Sequence, residues 1–190
     1  MTRRVLASAS PRRRAILETL GIPFDVVPSD ADETVIEGVA PEAFARHLAV
    51  LKAREVAARE EGFVLGADTI VVVDGEILGK PRDDADAARM IGALSGRAHE
   101  VITGVALLGP DGVDEIAVST RVWFRELDAE RVARYVATGE GRDKAGAYAV
   151  QGIGSALVTR IDGSWSNVVG LPAAETVDLL ERAGALRGWP

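Results

Sequence analysis

The chain lacks cysteine altogether. That absence excludes disulfides, thiolate metal sites and a cysteine nucleophile, and it fits a reducing compartment, so a cytoplasmic protein is expected. Histidine is scarce: His47 and His99 are the only two. Neither has a partner at metal-ligand spacing, and neither is assigned to catalysis. No apolar run approaches the ~20 residues needed to cross a bilayer. The first residues include two arginines but no continuous apolar stretch, so neither a signal peptide nor a membrane is expected. Basic charge is also short, with 22 Lys and Arg against 29 Asp and Glu, a net charge of −7. A broad nucleic-acid surface needs a basic face and is not expected here. A small phosphorylated ligand remains compatible, because screening over roughly 8 Å lets a local cluster of cations govern its own pocket.

The 190 residues, 47% apolar and 27% charged, suit one globular domain spanning 1–190, or one core split by a cleft. There is no internal repeat, low-complexity tract or linker. The chain is organised around 63–81. Phe63 to Val73 is mostly β-branched or otherwise apolar and reads as a buried strand. Asp74-Gly75 is a strong type I′ hairpin signal, and Glu76 to Leu78 is the return strand, ending at Gly79-Lys80-Pro81. Antiparallel pairing would bring Lys80 back towards Asp68, a carboxylate that needs a partner or a purpose within its apolar run.

Upstream, Val5-Leu6-Ala7 reads as a strand entering Ser8-Ala9-Ser10-Pro11-Arg12-Arg13-Arg14 and a helix stopped by Gly21. Ser10 suits the N-cap and Pro11 the first helical position. Two hydroxyls, free backbone N–H groups and up to three guanidinium groups make an anion site there; a capped surface helix with solvated arginines fits equally. Phe24 to Val27 reads as a second strand. The acidic loop Asp30-Ala31-Asp32-Glu33 offers oxygens for Mg²⁺, although a solvated loop is the commoner use of such a cluster. From Pro41 to about Glu60 a helix carries the stripe Phe44, Leu48, Leu51, with Lys52 at its edge, able to reach a cleft. Further helices are expected from Arg82-Asp83-Asp84 to Gly96 and from Ala129 to Thr138. His99–Leu108 and Glu115–Phe124 form a hairpin around Pro110-Asp111-Gly112. A strand near Ala156 to Ile161 precedes the segment 163–172, which opens a final helix to about Arg182. The loops 143–152 and 163–172, rich in Gly, amide and aromatic residues, suit a pocket for a flat ring and equally suit tight turns.

Taken in order, these segments resemble the Maf family of nucleoside triphosphate pyrophosphatases. The resemblance rests on Leu6-Ala7-Ser8-Ala9-Ser10-Pro11-Arg12-Arg13, Asp32-Glu33-Thr34, Lys52-Ala53, Gly66-Ala67-Asp68-Thr69, Gly79-Lys80-Pro81 and Thr103-Gly104-Val105. It continues through Lys144-Ala145-Gly146-Ala147-Tyr148 with Gln151-Gly152, and Asn167 to Pro172. The resemblance implies an α/β fold of Maf/ITPase-like type: a mixed twisted sheet with flanking helices and a deep cleft between two lobes. It implies cleavage between the α and β phosphates of a nucleoside triphosphate, assisted by Mg²⁺ or Mn²⁺. Gly146-Ala147-Tyr148 with Gln151, and Ser164-Trp165-Ser166-Asn167, are similar to the branch acting on dTTP and UTP. Ala149-Val150 stand where that branch commonly carries Gly-Ile. A homodimer is a family-level expectation.

A triphosphate carries about four negative charges, which Arg12, Arg13, Lys52 and Lys80, with Ser8 and Ser10, would meet. Asp68 is the expected base for the attacking water. An ordinary aspartate, pKa ~3.9, is a weak base, so metal assistance is expected, with Asp68 and Glu33 as the carboxylates. By the family match, Arg12, Thr69 and Gln151 take part in substrate choice, and Gln151 can pair with the imide edge of uracil or thymine. A structural salt bridge from Asp68 to Lys80, and a loop amide at Gln151 bonded to backbone, are the alternatives. Two rival functions stand beside the enzyme: a nucleotide-sensing regulator of cell division without turnover, and a pyrophosphatase preferring modified bases such as 7-methyl-GTP.

Overall fold

The β-branched run 63–73 forms a continuous strand in the computed structural model, which describes residues 3–32 and 38–190. In chain order the elements are β1 (Arg4–Leu6), α1 (Pro11–Thr19), β2 (Asp25–Val26), α2 (Pro41–Ala57), β3 (Phe63–Val73), β4 (Glu76–Leu78) and α3 (Asp84–Leu94). There follow β5 (Ala98–Gly109), β6 (Gly112–Phe124), α4 (Ala129–Ala137), β7 (Val158–Asp162), α5 (Trp165–Val169) and α6 (Ala173–Arg182). Among the described residues seven strands make one mixed sheet in the order β2-β1-β3-β5-β6-β7, with β4 paired to β3. The chain is α/β, as expected. By contacts it divides into two compact units: residues 1–69, 103–118 and 170–190, and residues 70–102 and 119–169.

In the first unit β1 pairs in parallel with β2 and with β3, Val5 opposite Val64 and Leu6 opposite Leu65. Alternation along these strands feeds two separate cores. Leu6, Leu65, Ala67, Val105 and Leu107 pack with Leu17 of α1 and Leu179 and Leu180 of α6. Val5, Ala7, Val64 and Ala106 pack with Ala49, Ala53 and Val56 of α2. Phe44 and Leu48 of the expected stripe are buried, but Leu51 is only half-buried, and the buried face turns instead towards Ala45, Ala49, Lys52 and Ala53. Two strand glycines explain the rotation. A Cβ on Gly66 would lie 2.2 Å from the Ala49 carbonyl oxygen, and one on Gly104 2.1 Å from that of Ala45. The helix backbone rests directly on the sheet there, which only a row of alanines permits.

In the second unit the Asp74-Gly75 turn adopts the expected left-handed pair, φ 50° and 81°, and β4 returns with Val71 opposite Leu78. That ladder stops at Leu78; Lys80 lies two residues beyond it and is exposed. The helix expected to open from 163–172 is two helices, α5 and α6. Gly170, with φ 132°, and Pro172 interrupt the helical path between them.

His99 of β5 is buried in this unit, edge-on to Phe124 and Tyr148 with ring centroids 5.0 and 5.4 Å away. Its Nε2 shares a 2.8 Å hydrogen bond with the Tyr148 hydroxyl, and Nδ1 has no partner among the described residues. Burial lowers its pKa from 6.5 to about 4. The fold thus favours the neutral ring, a stabilisation complete above pH 6.5 and lost as the pH falls towards 4. Its full loss corresponds to about 3 kcal/mol. Denaturant titrations at pH 7 and pH 4 should show His99→Gln losing less stability than the wild type by roughly that amount; equal losses would exclude His99 as the source.

Candidate active site

Consecutive residues of β3 face opposite ways, and this separates two groups of polar side chains in the first unit. Asp68 shares the face of Val64 and Gly66, towards α2. Lys52, seated among the alanines of that helix, donates from Nζ to Asp68 Oδ1 at 2.6 Å. Both side chains are 10% exposed. A buried ion pair is costly to form and costlier to break from one side, so this contact fixes the carboxylate. The expected edge position of Lys52 is thus corrected to the centre of the buried face. The β3–β4 ladder that was to bring Lys80 back ends at Leu78, and the described partner of Asp68 is Lys52.

Thr69 shares the other face with Ala67. The helix start behaves as its sequence suggests: Ser10 caps α1, its hydroxyl accepting from the Arg13 N–H, with Pro11 next. The three arginines then separate. Arg14 is exposed and pairs with Glu18 at 2.6 Å, Arg12 is half-buried, and Arg13 is buried. Arg13 donates from Nε to the Gly170 carbonyl at 2.8 Å, from Nη1 to Ser8 Oγ at 3.0 Å and from Nη2 to Thr69 Oγ1 at 3.1 Å. Thr69 and Thr103 share a further bond at 2.9 Å between hydroxyls. The fork of one guanidinium thereby ties the loop after β1, the strand β3 and the start of 170–172 together. Ser8, Ser10, Arg13 and Thr69 are brought into one cluster. Thr103 and Gly170 stood in the sequence only as members of the segments Thr103-Gly104-Val105 and Asn167 to Pro172, with no role of their own.

Lys80 and Gln151 belong to the second unit, and both are exposed. Gly146 donates its N–H to the Gly79 carbonyl at 3.1 Å, and a Cβ there would meet Val71 at 3.0 Å. The residue before Lys80 is thus tied to the Lys144–Tyr148 segment. Gly146 and Ala147 are both left-handed, φ 68° and 59°, and the reversal sets Tyr148 against His99. Asn167, fully buried, donates from Nδ2 to the Val101 carbonyl and to Thr120 Oγ1, both at 3.0 Å. These bonds tie α5 to β5 and β6, while the neighbouring Trp165 is 50% exposed.

Glu33, expected as a metal ligand, lies outside the described residues. Among the described residues no three His, Asp or Glu side chains cluster as a metal site, and no helix is long and apolar enough to cross a membrane.

A family model described as Maf-like protein matches residues 3–183. A dTTP/UTP pyrophosphatase of Geobacter sulfurreducens is 56% identical over 185 residues, covering 96% of this chain and 97% of its own. One of Syntrophotalea carbinolica is 55% identical over 188 residues, covering 96% and 86%. Among solved structures, a nucleoside-triphosphatase / dITP/XTP pyrophosphatase from Mycobacterium abscessus is similar with a TM-score of 0.46 at 18% identity, covering 96% of this chain and 95% of that one.

Proposed function

The chain belongs to the Maf family, and we propose that it hydrolyses dTTP and UTP between the α and β phosphates, releasing the nucleoside monophosphate and pyrophosphate. The observation that carries the chemistry is the buried Lys52–Asp68 pair, 2.6 Å apart. One water attacks the α phosphorus, the α–β bridging bond breaks, and pyrophosphate departs. Asp68 takes the proton from that water, a role worth roughly 10²–10⁴ in rate. Lys52 holds the carboxylate in one orientation, so no reorganisation is needed at the moment of attack.

A bound divalent cation, Mg²⁺ or Mn²⁺, would supply charge neutralisation on the phosphates and a more acidic water. The donor chemistry fits: Mg²⁺ takes one or two carboxylates and completes its shell from phosphates and water. Asp68 would be one of these carboxylates and Glu33 the other. Ser8, Ser10, Arg12 and Lys80 supply donors and positive charge for the phosphates, while Arg13 orders Ser8 and Thr69. Thr69, Arg12 and Gln151 govern substrate choice. The absence of cysteine supports work in the cytoplasm.

The test is pyrophosphate release with Mg²⁺ from dTTP, UTP, CTP, ATP, GTP and 7-methyl-GTP. Fast release from dTTP and UTP is expected; binding without release would overturn the reading in favour of a nucleotide sensor. Gln151→Glu removes the amide donor that a pyrimidine carbonyl would accept from. Its kcat/KM for dTTP and UTP is expected to fall roughly tenfold to a hundredfold, changing the ranking of bases.

A further inference from the structure

Gln151 is exposed at the tip of a segment whose backbone is held from below by a single carboxylate. Glu140, just after α4, accepts from the Ile153 N–H at 2.8 Å through Oε1 and from the Gly154 N–H at 2.7 Å through Oε2. The Tyr135 hydroxyl donates to Glu140 Oε2 at 3.0 Å and accepts from the Ala149 N–H at 3.1 Å. The chain on both sides of Gln151 is therefore tied to one buried tyrosine and one half-buried glutamate. The fit is tight. A Cβ on Gly152 would lie 2.2 Å from Glu140 Oε1, and one on Gly154 2.8 Å from the Tyr135 hydroxyl oxygen. Burial pushes the Tyr135 phenol above its ordinary pKa, with Glu140 adding to the shift, so the hydroxyl keeps the proton it donates. Lys144, which opens the segment leading to Tyr148, donates from Nζ to the Glu140 carbonyl at 2.7 Å.

We propose that Glu140, with Tyr135, is a positioning residue for base selection: it presets the 149–154 backbone so that Gln151 meets the pyrimidine edge without reordering. The proposal rests on the reading of Gln151 given above. A carboxylate is the group the site requires, because both oxygens face donors and neither can be replaced by an N–H₂ without opposing a donor to a donor. Binding that must first order a loop is weakened by the cost of that ordering, while the chemical step is untouched. The effect therefore belongs in KM.

The experiment compares wild type, Glu140→Gln, Gln151→Ala and the double variant, using dTTP, UTP and CTP with Mg²⁺, alongside amide hydrogen exchange. Glu140→Gln is expected to raise KM for dTTP and UTP about tenfold with kcat within about twofold. Exchange at Ile153 and Gly154 should quicken about tenfold while the β3 amides stay protected. In the Gln151→Ala background the same change should add less than about twofold, since the two residues act through one contact. A fall in kcat at constant KM, unchanged exchange at 153 and 154, or an equal loss in both backgrounds would overturn the proposal. If Gln151→Ala leaves the base ranking unaltered, the reading of Gln151 fails by itself. The ranking in Glu140→Gln then decides: an altered ranking keeps Glu140 as the residue that positions the segment, and an unaltered one removes it.

Discussion

Asp68→Asn should reduce kcat for pyrophosphate release from dTTP by about 10³-fold, with the protein still folded and still binding nucleotide. The substitution is chosen for what it leaves intact. The Asn carbonyl oxygen can still accept from Lys52 Nζ, which now stands 2.6 Å from Oδ1, so the buried ammonium keeps a partner. What disappears is the capacity to take a proton. Asp68→Ala would remove both, leaving an uncompensated buried charge at a cost of about 3–5 kcal/mol, and its inactivity would say little about catalysis. The measurement is kcat and KM for the Asn variant beside its melting temperature. A retained melting temperature with lost turnover assigns Asp68 to the chemistry. Retained turnover would return it to a structural role as the partner of Lys52.

The second large effect lies at Gly66. A methyl group there would stand 2.2 Å from the Ala49 carbonyl oxygen, 2.8 Å from the Ala53 nitrogen and 3.0 Å from its Cβ. Two of these three atoms are helix backbone, so no rotamer change relieves the clash and α2 must move as a body. Gly66→Ala is expected to cost about 3 kcal/mol, lowering the melting temperature by roughly 6–12 °C. Because Lys52 travels with α2, activity should fall beyond what the unfolded fraction accounts for. Gly92 is the control. It is exposed on α3 with nothing within 4 Å of an added Cβ, so Gly92→Ala should stabilise by about 1 kcal/mol. Equal responses at the two glycines would refute the close-packing account.

These two sites also mark where sequence was informative and where it was not. The β3–β4 hairpin was readable because its signals are local: a β-branched run followed by Asp-Gly, whose left-handed pair few other residues adopt. The capped start of α1 was readable for the same reason, with Ser10, Pro11 and Gly21 each in its expected place. The seat of α2 was readable only in part. Phe44 and Leu48 lie on its buried face as their spacing suggested, but the turn away from Leu51 towards the alanines and Lys52 belonged to Gly66 and Gly104, each on a different strand of the sheet. The partner of Asp68 was hidden likewise, since hairpin reasoning points along the strand to Lys80 while the contact comes from a helix 16 residues upstream. Glu140, set between two glycines in a loop, carries no pattern at all. Its role exists only once residues 149–154 fold back over it.

The placement of Asp68 and Thr69 on opposite faces of β3 bears on how such a protein changes over time. One peptide bond separates a side chain anchored by Lys52 from one anchored by Arg13. Variation at the Thr69 and Thr103 hydroxyls can proceed while the ion pair across the strand stays as it is. With the roles proposed for Asp68 and Thr69, substrate choice can drift without hydrolysis being surrendered at each step, and a mutant library confined to those two hydroxyls is expected to retain more active members than one of equal size drawn from residues around Lys52.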